Sequence, residues 1–244
     1  MDSIGREFIE RTKYHSMDSP DVSRGILQPP LQLPFDPAQK VIPLPAPSNI
    51  RPASIDIREA IERRRSVRAY AGTPLTLDEL SYLLWCTQGV KKVIQNSSTN
   101  RTVPSAGARH AFETYVLANS VDGLPPGLYR FLALQHALLQ EETAPGLADR
   151  FMAACRGQEH VKTCAAMFLW AAVAYRMTWR YGERGYRYLH LDAGHVCQNL
   201  YLAAEAIGCG VCAIAAFNDD DVNRLLKLDG EKHFAIYLAT VGKK

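Results

Sequence analysis

The sequence lacks both a long hydrophobic run and a charge excess of either sign. Its longest apolar run, from Cys164 to Tyr175, has twelve residues, whereas a membrane-spanning helix needs about 20. The net charge is only +3, so we expect neither a nucleic-acid partner nor a membrane partner. The first residues have no basic start followed by an apolar stretch. We therefore expect no secretory signal and a cytoplasmic protein.

Several common catalytic signatures are also missing. The chain has no Gly-x-Gly-x-x-Gly, no P-loop and no Gly-x-Ser-x-Gly. The six cysteines are expected to be free, because most lie in apolar runs and a chain of this length needs no disulfide framework. Cys209 and Cys212 form a C-x-x-C pair, but a zinc site would need a second pair and a thioredoxin-type pair would open a helix. Structural cysteines are favoured, and a thiol-redox protein is the alternative.

The N-terminal part differs in composition from the rest of the chain. Seven prolines lie between Gln28 and Pro47, and proline fixes φ and lacks an amide hydrogen. This pattern predicts an extended, proline-rich arm over residues 1–50, laid on the surface of a domain over residues 51–244. A disordered tail is the alternative.

Hydrophobic periodicity predicts an α+β fold with a sheet flanked by helices. Helices are predicted after Asp56 and Thr76, over 145–155 and over 219–226, and strands over 112–118, 128–132, 136–139, 164–175, 211–217 and 233–241. The longest helix is predicted over 186–207. It is apolar on two sides, so we expect it to be buried in a core or an interface.

Four segments carry candidate site residues. Arg64, Arg65, Ser66 and Arg68 offer permanently charged donors that match a phosphate, although basic residues at a helix end also complement its dipole. Small residues allow a backbone to approach a flat ligand and occur at Pro104, Ser105, Ala106 and Gly107, and at Ala213, Ile214, Ala215 and Ala216. An ordinary turn and a packed strand are the respective alternatives.

The fourth segment, residues 175–190, alternates aromatic and cationic side chains between a predicted strand and the long helix. Such a mixture suits a recognition surface, or snorkelling side chains at a helix start. It contains Arg180 and Tyr181.

The order of these segments resembles the nitroreductase superfamily, and within it the SagB-type dehydrogenases. The resemblance rests on the runs 64–68, 74–80, 84–90 and 104–107, followed by 127–131, 191–200 and 237–242. It covers about residues 40–244 and is specific as a set.

The resemblance implies a nitroreductase-like fold with a mixed or antiparallel sheet, and an intertwined homodimer with FMN at the interface. It implies that Arg64, Arg65, Ser66 and Arg68 hold the FMN phosphate, with Lys243 adding charge there. Pro104–Gly107 of the other subunit would line the flavin ring, and an amide of Ala213–Ala216 would lie near N5.

The implied reaction is ping-pong transfer of hydride from NAD(P)H to a nitroaromatic, quinone-like or other small acceptor. One alternative is dehydrogenation of an azoline in a modified peptide, for which Arg180 and Tyr181 match a Lys-Tyr pair of that branch. A guanidinium is a poor general base, so the arginine weakens this alternative. A flavin-binding protein without turnover is the other alternative.

Overall fold

The computed structural model describes residues 3–95 and 97–244, so Met1 and Asp2 of the predicted arm lie outside the described residues. The helices are α1 (Ile4–Arg11), α2 (Ile57–Arg63), α3 (Leu77–Gln88), α4 (Leu147–Ala154), α5 (His160–Thr163), α6 (Ala174–Tyr181), α7 (Gly185–Glu205) and α8 (Asp219–Leu225). The strands are β1 (Val41–Pro43), β2 (Val90–Ile94), β3 (Ser98–Arg101), β4 (Phe112–Ala118), β5 (Gly127–Leu132), β6 (Ala137–Glu142), β7 (Ala166–Val173), β8 (Cys209–Ile214) and β9 (His233–Lys243).

Seven of the described strands form one sheet in the order β1-β6-β5-β4-β7-β9-β8. Each neighbouring pair is antiparallel. Strands β2 and β3 form a separate hairpin. The outer strands of the sheet are therefore β1 and β8, and β8 carries the candidate residues Ala213 and Ile214.

The core lies on both faces of this sheet. Along the fully buried strand β7, Phe168 and Trp170 face the core beneath α3 and α7, whereas Met167 and Leu169 face the core beneath α4 and α8. This alternation follows from the two-residue period of a strand. It buries helices against both faces, which confirms the predicted α+β fold. In the described part of the chain, no helix is long and apolar enough to cross a membrane.

Local capping explains where two helices begin. The Thr76 hydroxyl accepts from the Glu79 amide at 3.1 Å, and the Glu79 carboxylate accepts from the Thr76 amide at 3.0 Å. This capping box starts α3 where the sequence predicts it. The Asp56 carboxylate accepts from the Arg58 amide at 2.9 Å and starts α2 in the same way.

Two sequence predictions are wrong in this region of the chain. The strand predicted over 164–175 ends at Val173, and Ala174 begins α6. The apolar run that forms the strand continues unbroken into the helix, and alanine and tyrosine occur in both structures. The sequence therefore does not show where the strand ends and the helix begins. The sequence also does not predict strands β2 and β3, since neither alternates apolar and polar residues and β3 contains no apolar residue.

The N-terminal arm is bound to the domain by its backbone. Trp179 Nε1 donates to the Ile26 carbonyl at 2.8 Å, Arg176 Nε to Pro30 at 2.8 Å and Arg130 Nη2 to Pro34 at 3.0 Å. The expectation of an extended chain throughout the arm is wrong for residues 4–11, which form the amphipathic helix α1. The division of the chain near residue 50 stays a prediction.

Candidate active site

The arginine-rich segment lies along the outer strand β8 of the sheet. After α2 ends, the chain extends beside β8, where the Val67 amide donates to the Val211 carbonyl at 2.8 Å and Ser66 forms a parallel bridge with Val211. A β-carbon on Gly210 would lie 2.6 Å from Val67, so glycine allows this close approach. Arg64 is half-buried, whereas the predicted site residues Arg65, Ser66 and Arg68 are exposed. The exposed donors are therefore available to a ligand.

Tyr201 joins this segment to β8, and sequence reasoning missed it. Its hydroxyl lies 3.0 Å from Ser66 Oγ and accepts from the Ala213 amide at 2.9 Å. The guanidinium of Arg64 lies over its ring, 5.2 Å from the centroid. Tyr201 is one of three tyrosines of α7, and its position among apolar residues gives no sequence signal beyond core packing. The structure thus brings together Arg64, Ser66 and Ala213, which are far apart in the chain.

The segment Ala213–Ala216 straddles the end of β8. Ile214 is buried in the core beneath α4 and α8, so its side chain does not face α7. Ala215 and Ala216 lie beyond the strand and are exposed, although the strand had been predicted to continue to Phe217. Gln158 Nε2 donates to the Ala216 carbonyl at 3.0 Å. Two small exposed residues therefore follow directly after the part of β8 that Tyr201 and Ser66 contact.

Lys243, the last residue of β9, is bonded within the protein. Its ammonium donates to the Glu79 carboxylate and to the Ile207 carbonyl, the latter at 3.4 Å. Glu79 is the same residue that completes the capping box of α3. The predicted role of Lys243 at a phosphate stays a prediction.

The loop Pro104–Gly107 is held by Asp192 of α7. The Asp192 carboxylate, only 4% exposed, accepts from Ser105 Oγ at 2.6 Å and from the Ala106 amide at 3.2 Å. Ser105 Oγ in turn accepts from the His110 amide at 2.9 Å. Burial raises the pKa of Asp192, whereas its bonds to Ser105 and Ala106 oppose that change. The loop backbone is therefore fixed by one buried carboxylate, which sequence reasoning did not identify.

Arg180 and Tyr181 at the end of α6 pack on this loop. A β-carbon on Gly107 would lie only 2.5 Å from Tyr181 Oη and 2.8 Å from Arg180 Nε. These two side chains therefore leave no room for a side chain at position 107. Arg109 Nε donates to the Gly107 carbonyl at 3.2 Å, and its guanidinium stacks on Trp179 of α6. The two segments predicted to carry site residues are thus in direct contact.

A cationic and aromatic shell surrounds Tyr181. Its ring meets that of Tyr188 edge-on, with centroids 4.8 Å apart. Tyr188 Oη accepts from Arg184 Nε at 2.8 Å and shares a 2.8 Å hydrogen bond with Tyr14 of the arm. Burial, and then the charge of Arg180, lower the pKa of Arg109. The phenol therefore lies in a region of concentrated positive charge.

The candidate residues form two groups along α7. Asp192 contacts the loop 104–107 near the start of the helix, and Tyr201 contacts Ser66 and Ala213 near its end. Nine residues separate these two contacts, which at 1.5 Å per residue is about 14 Å. One chain therefore carries two separate groups of candidate residues. By the ligand parts expected for them, we call the group around Ser66 the phosphate half-site and the group around Gly107 the ring half-site.

The cysteine pair lies on β8 rather than at a helix start. Cys209 and Cys212 are both buried free thiols, and burial raises the pKa of Cys209 to about 11. Residues three apart in a strand point to opposite faces with Cα atoms about 10 Å apart, and a disulfide needs less than about 7 Å. The pair therefore cannot close a disulfide in this fold.

Comparison with known proteins gives the family. The model of the nitroreductase family matches residues 61–243. The nitroreductase-like protein MJ1384 of Methanocaldococcus jannaschii is 37% identical over 193 residues, which cover 78% of this chain and 92% of that protein. The trifolitoxin-processing protein TfxB of Rhizobium leguminosarum bv. trifolii is 28% identical over 62% of this chain and 41% of its own length.

A solved structure extends the comparison to the fold. The crystal structure of a nitroreductase-like protein from Anabaena variabilis aligns with a TM-score of 0.69 and 30% identity, over 85% of this chain and 42% of that one. The similarity to the trifolitoxin-processing protein supports the predicted SagB-type branch. The sequence match across most of the chain and the shared fold show that this protein is an oxidoreductase of the nitroreductase family.

Proposed function

We propose that the protein is an FMN-dependent oxidoreductase that takes reducing equivalents from NAD(P)H and passes them to a small nitroaromatic or quinone-like acceptor. The observation that carries this proposal is the convergence of Arg64, Ser66 and Ala213 around Tyr201 at the edge of the sheet. These are residues of the segments expected to hold the phosphate and the ring edge of one flavin.

The donor set at the phosphate half-site fits FMN. Arg65, Ser66 and Arg68 are exposed on one short extended segment, and guanidinium groups form strong, charge-assisted hydrogen bonds with phosphate oxygens. Ala215 and Ala216 follow at the same sheet edge and leave room for a flat ring. A ligand with a dianionic phosphate and a flat aromatic ring matches both the exposed donors and the room beside the small residues.

The separation of the half-sites supports a homodimer. The ring half-site lies about 14 Å along α7 from the phosphate half-site of the same chain. A second copy that brings its own loop 104–107 against Ala213–Ala216 would complete each site. This arrangement agrees with a helix α7 that is apolar on two sides.

The chain's own residues have defined tasks in this proposal. When bound, FMN would accept a hydride from NAD(P)H and later deliver it to the acceptor. The loop held by Asp192 would line the slot and exclude water, and the arginines would neutralise the phosphate. The hydroxyl of Tyr181 lies beside Gly107. It would hold a proton near the acceptor or donate that proton to it.

The test is the visible absorption of the purified protein before and after anaerobic NADH and NADPH. A flavin spectrum that bleaches with either nucleotide supports the proposal. A protein that stays colourless after incubation with FMN overturns it. Arg68→Gln should weaken FMN binding by about tenfold or more. The matched variant Arg58→Gln, whose arginine pairs with Glu62 on the exposed face of α2, should leave binding unchanged.

The second candidate function is azoline dehydrogenation on a modified peptide. Two observations favour it: the similarity to a trifolitoxin-processing protein, and the position of Tyr181 against the loop expected to line the ring. Aromatising an azoline removes a proton as well as a hydride. Arg180 is a poor base, so the proton would pass to the Tyr181 hydroxyl oxygen while the phenol releases its own proton to water.

The two functions differ in which substrate reduces the flavin. If a purified azoline-containing peptide bleaches the spectrum anaerobically and NAD(P)H does not, the azoline reaction is the correct one. In that case Tyr181→Phe should slow the bleaching by about 100-fold. Tyr175→Phe, which alters an exposed tyrosine of the same helix, should not change the rate.

A further inference from the structure

A chain of hydrogen bonds runs from the sheet edge to the exposed Ser66 through one phenol. The Ala213 amide lies 2.9 Å from Tyr201 Oη, and Tyr201 Oη lies 3.0 Å from Ser66 Oγ. Tyr201 is 8% exposed, whereas Ser66 is exposed. The inner end of this chain of hydrogen bonds is therefore buried, and its outer end at Ser66 is accessible to a ligand.

We propose that Tyr201 is a positioning residue that fixes the direction of the Ser66 hydroxyl, so that Ser66 presents its hydrogen to the flavin phosphate. This inference rests on the proposed function. It assigns a role to a residue outside the arginine-rich segment and explains how the strand and the phosphate half-site act together.

The direction follows from counting hydrogens. An amide can only donate, so Tyr201 Oη is the acceptor for Ala213. The phenol then has one hydrogen of its own, and among the hydrogen bonds of the described residues its remaining neighbour is Ser66 Oγ. When the phenol donates to Ser66, the single serine hydrogen is directed outward. In the reverse direction Ser66 would turn lone pairs toward the anion, which is unfavourable.

Two further effects strengthen this donor. Hydrogen bonds arranged in series polarise one another in a low-dielectric environment, so the amide and the phenol make Ser66 a better donor. The ring of Tyr201 also supports the guanidinium of Arg64 at 5.2 Å. A single side chain therefore contacts both a neutral and a charged donor of the arginine-rich segment.

The experiment compares the affinities of FMN and riboflavin, which differ only in the phosphate. Both dissociation constants are measured by quenching of flavin fluorescence with the full-length protein. Tyr201→Phe keeps the ring and removes the hydroxyl. It should reduce the ratio of FMN to riboflavin affinity by about tenfold, because Ser66 loses the partner that directs its hydrogen to the phosphate and its hydrogen bond to that charged group weakens. Riboflavin affinity should stay near wild type.

Ser66→Ala provides the matched comparison. It should lower the same ratio, and the double variant should lower it no further than Ser66→Ala alone, because the phenol acts through the serine. Tyr129→Phe is the control: Tyr129 is also buried, and its hydroxyl donates to the Pro125 carbonyl at 2.7 Å away from these residues. Its FMN-to-riboflavin ratio should equal that of the wild type.

The outcomes separate this inference from the proposed function. A protein that binds neither flavin overturns the proposed function itself. If FMN binds and Ser66→Ala lowers the ratio while Tyr201→Phe does not, the role of Tyr201 is wrong and the proposed function stands. Equal losses of FMN and riboflavin affinity in Tyr201→Phe would mean that the tyrosine only supports the fold, which also overturns the inference.

Discussion

Gly107 lies directly against Tyr181: a β-carbon on the glycine would be 2.5 Å from the tyrosine hydroxyl oxygen. Gly107 also has a left-handed φ of +56°, which side-chain-bearing residues adopt at a cost. The contact joins the loop held by Asp192 to the helix that carries Arg180. Any residue other than glycine must displace one of these neighbours.

The first prediction concerns Gly107→Ala. The methyl group should push Tyr181 and Arg180 aside and reduce turnover by about tenfold or more, because small displacements at a reacting centre are costly. Gly123→Ala is the matched control, since Gly123 also has a left-handed φ (+77°) but no atom near its β-carbon position. Steady-state kinetics and urea unfolding of both variants separate the two effects. Equal losses of turnover in both would show that backbone strain alone is responsible.

The second prediction concerns the buried ion pair that anchors the arm. Glu113 accepts from Arg176 Nη2 at 2.6 Å and from the Leu33 amide at 2.8 Å, and both charged side chains are at most 4% exposed. Glu113→Gln should lower the free energy of unfolding by about 3 kcal/mol, because a buried guanidinium loses its counter-charge. Urea denaturation measures this change.

An exposed ion pair provides the control for Glu113. Glu59 pairs with Arg63 on the surface of α2, and Glu59→Gln should cost less than about 1 kcal/mol. A similar small cost for Glu113→Gln would mean that the arm contributes little to stability.

The third prediction is a dependence of stability on pH through His110. Burial, and then the charge of Arg101, lower the pKa of His110 to about 3, whereas an unfolded histidine has a pKa of about 6.5. Above pH 6.5 both states are neutral, so this residue adds no pH dependence. Below pH 6.5 the unfolded state binds a proton that the folded state does not, so the free energy of unfolding falls by up to about 1.4 kcal/mol per pH unit until pH 3.

Replacing His110 should flatten this acid-side decline. Asn is a suitable replacement, because it tolerates the left-handed φ of +43° at this position. Urea unfolding at pH 4, 5, 6 and 7 measures the slope. His15→Asn, which alters an exposed histidine, should leave the slope unchanged, and an unchanged slope in His110→Asn would contradict the prediction.

The fourth prediction concerns the two cysteines of β8. Replacing both Cys209 and Cys212 by Ala should leave flavin binding and turnover within about twofold of wild type and cost about 1–3 kcal/mol of stability. Thiol titration of the wild-type protein after air oxidation should still find both thiols free. A folded double variant without activity would instead support thiol-redox chemistry.

The sequence predicts most of the framework because its signals there are local. The capping box at Thr76 and Glu79, the 3.6-residue period of α7 and the apolar run of β7 each depend on nearby residues, and all three elements form close to the predicted positions. The end of β7 and the start of α6 could not be separated, since the apolar run crosses both.

The site is less predictable, because its contacts are long-range. The roles of Asp192 and Tyr201 depend on partners about 90 and 135 residues away in the chain, and no pattern within α7 distinguishes these side chains from ordinary core residues. The exposed arginines and the small residues are candidates by their chemistry alone, but only their order along the chain, which resembles a family, favours a site over a basic surface, a turn or a packed strand. The pairing of Lys243 with Glu79 likewise depends on where β9 ends relative to α3.

The bridge between Ser66 and Val211 has a consequence for solubility as well. Strand β8 is an outer strand of the sheet, and a bare outer strand with apolar residues offers unpaired backbone groups to other molecules. The segment that carries the arginines covers this strand, and its positive charges oppose pairing with the same segment of another copy. Variants that loosen residues 64–70 should therefore aggregate in the unliganded state, and a ligand that fastens the segment should keep the protein in solution.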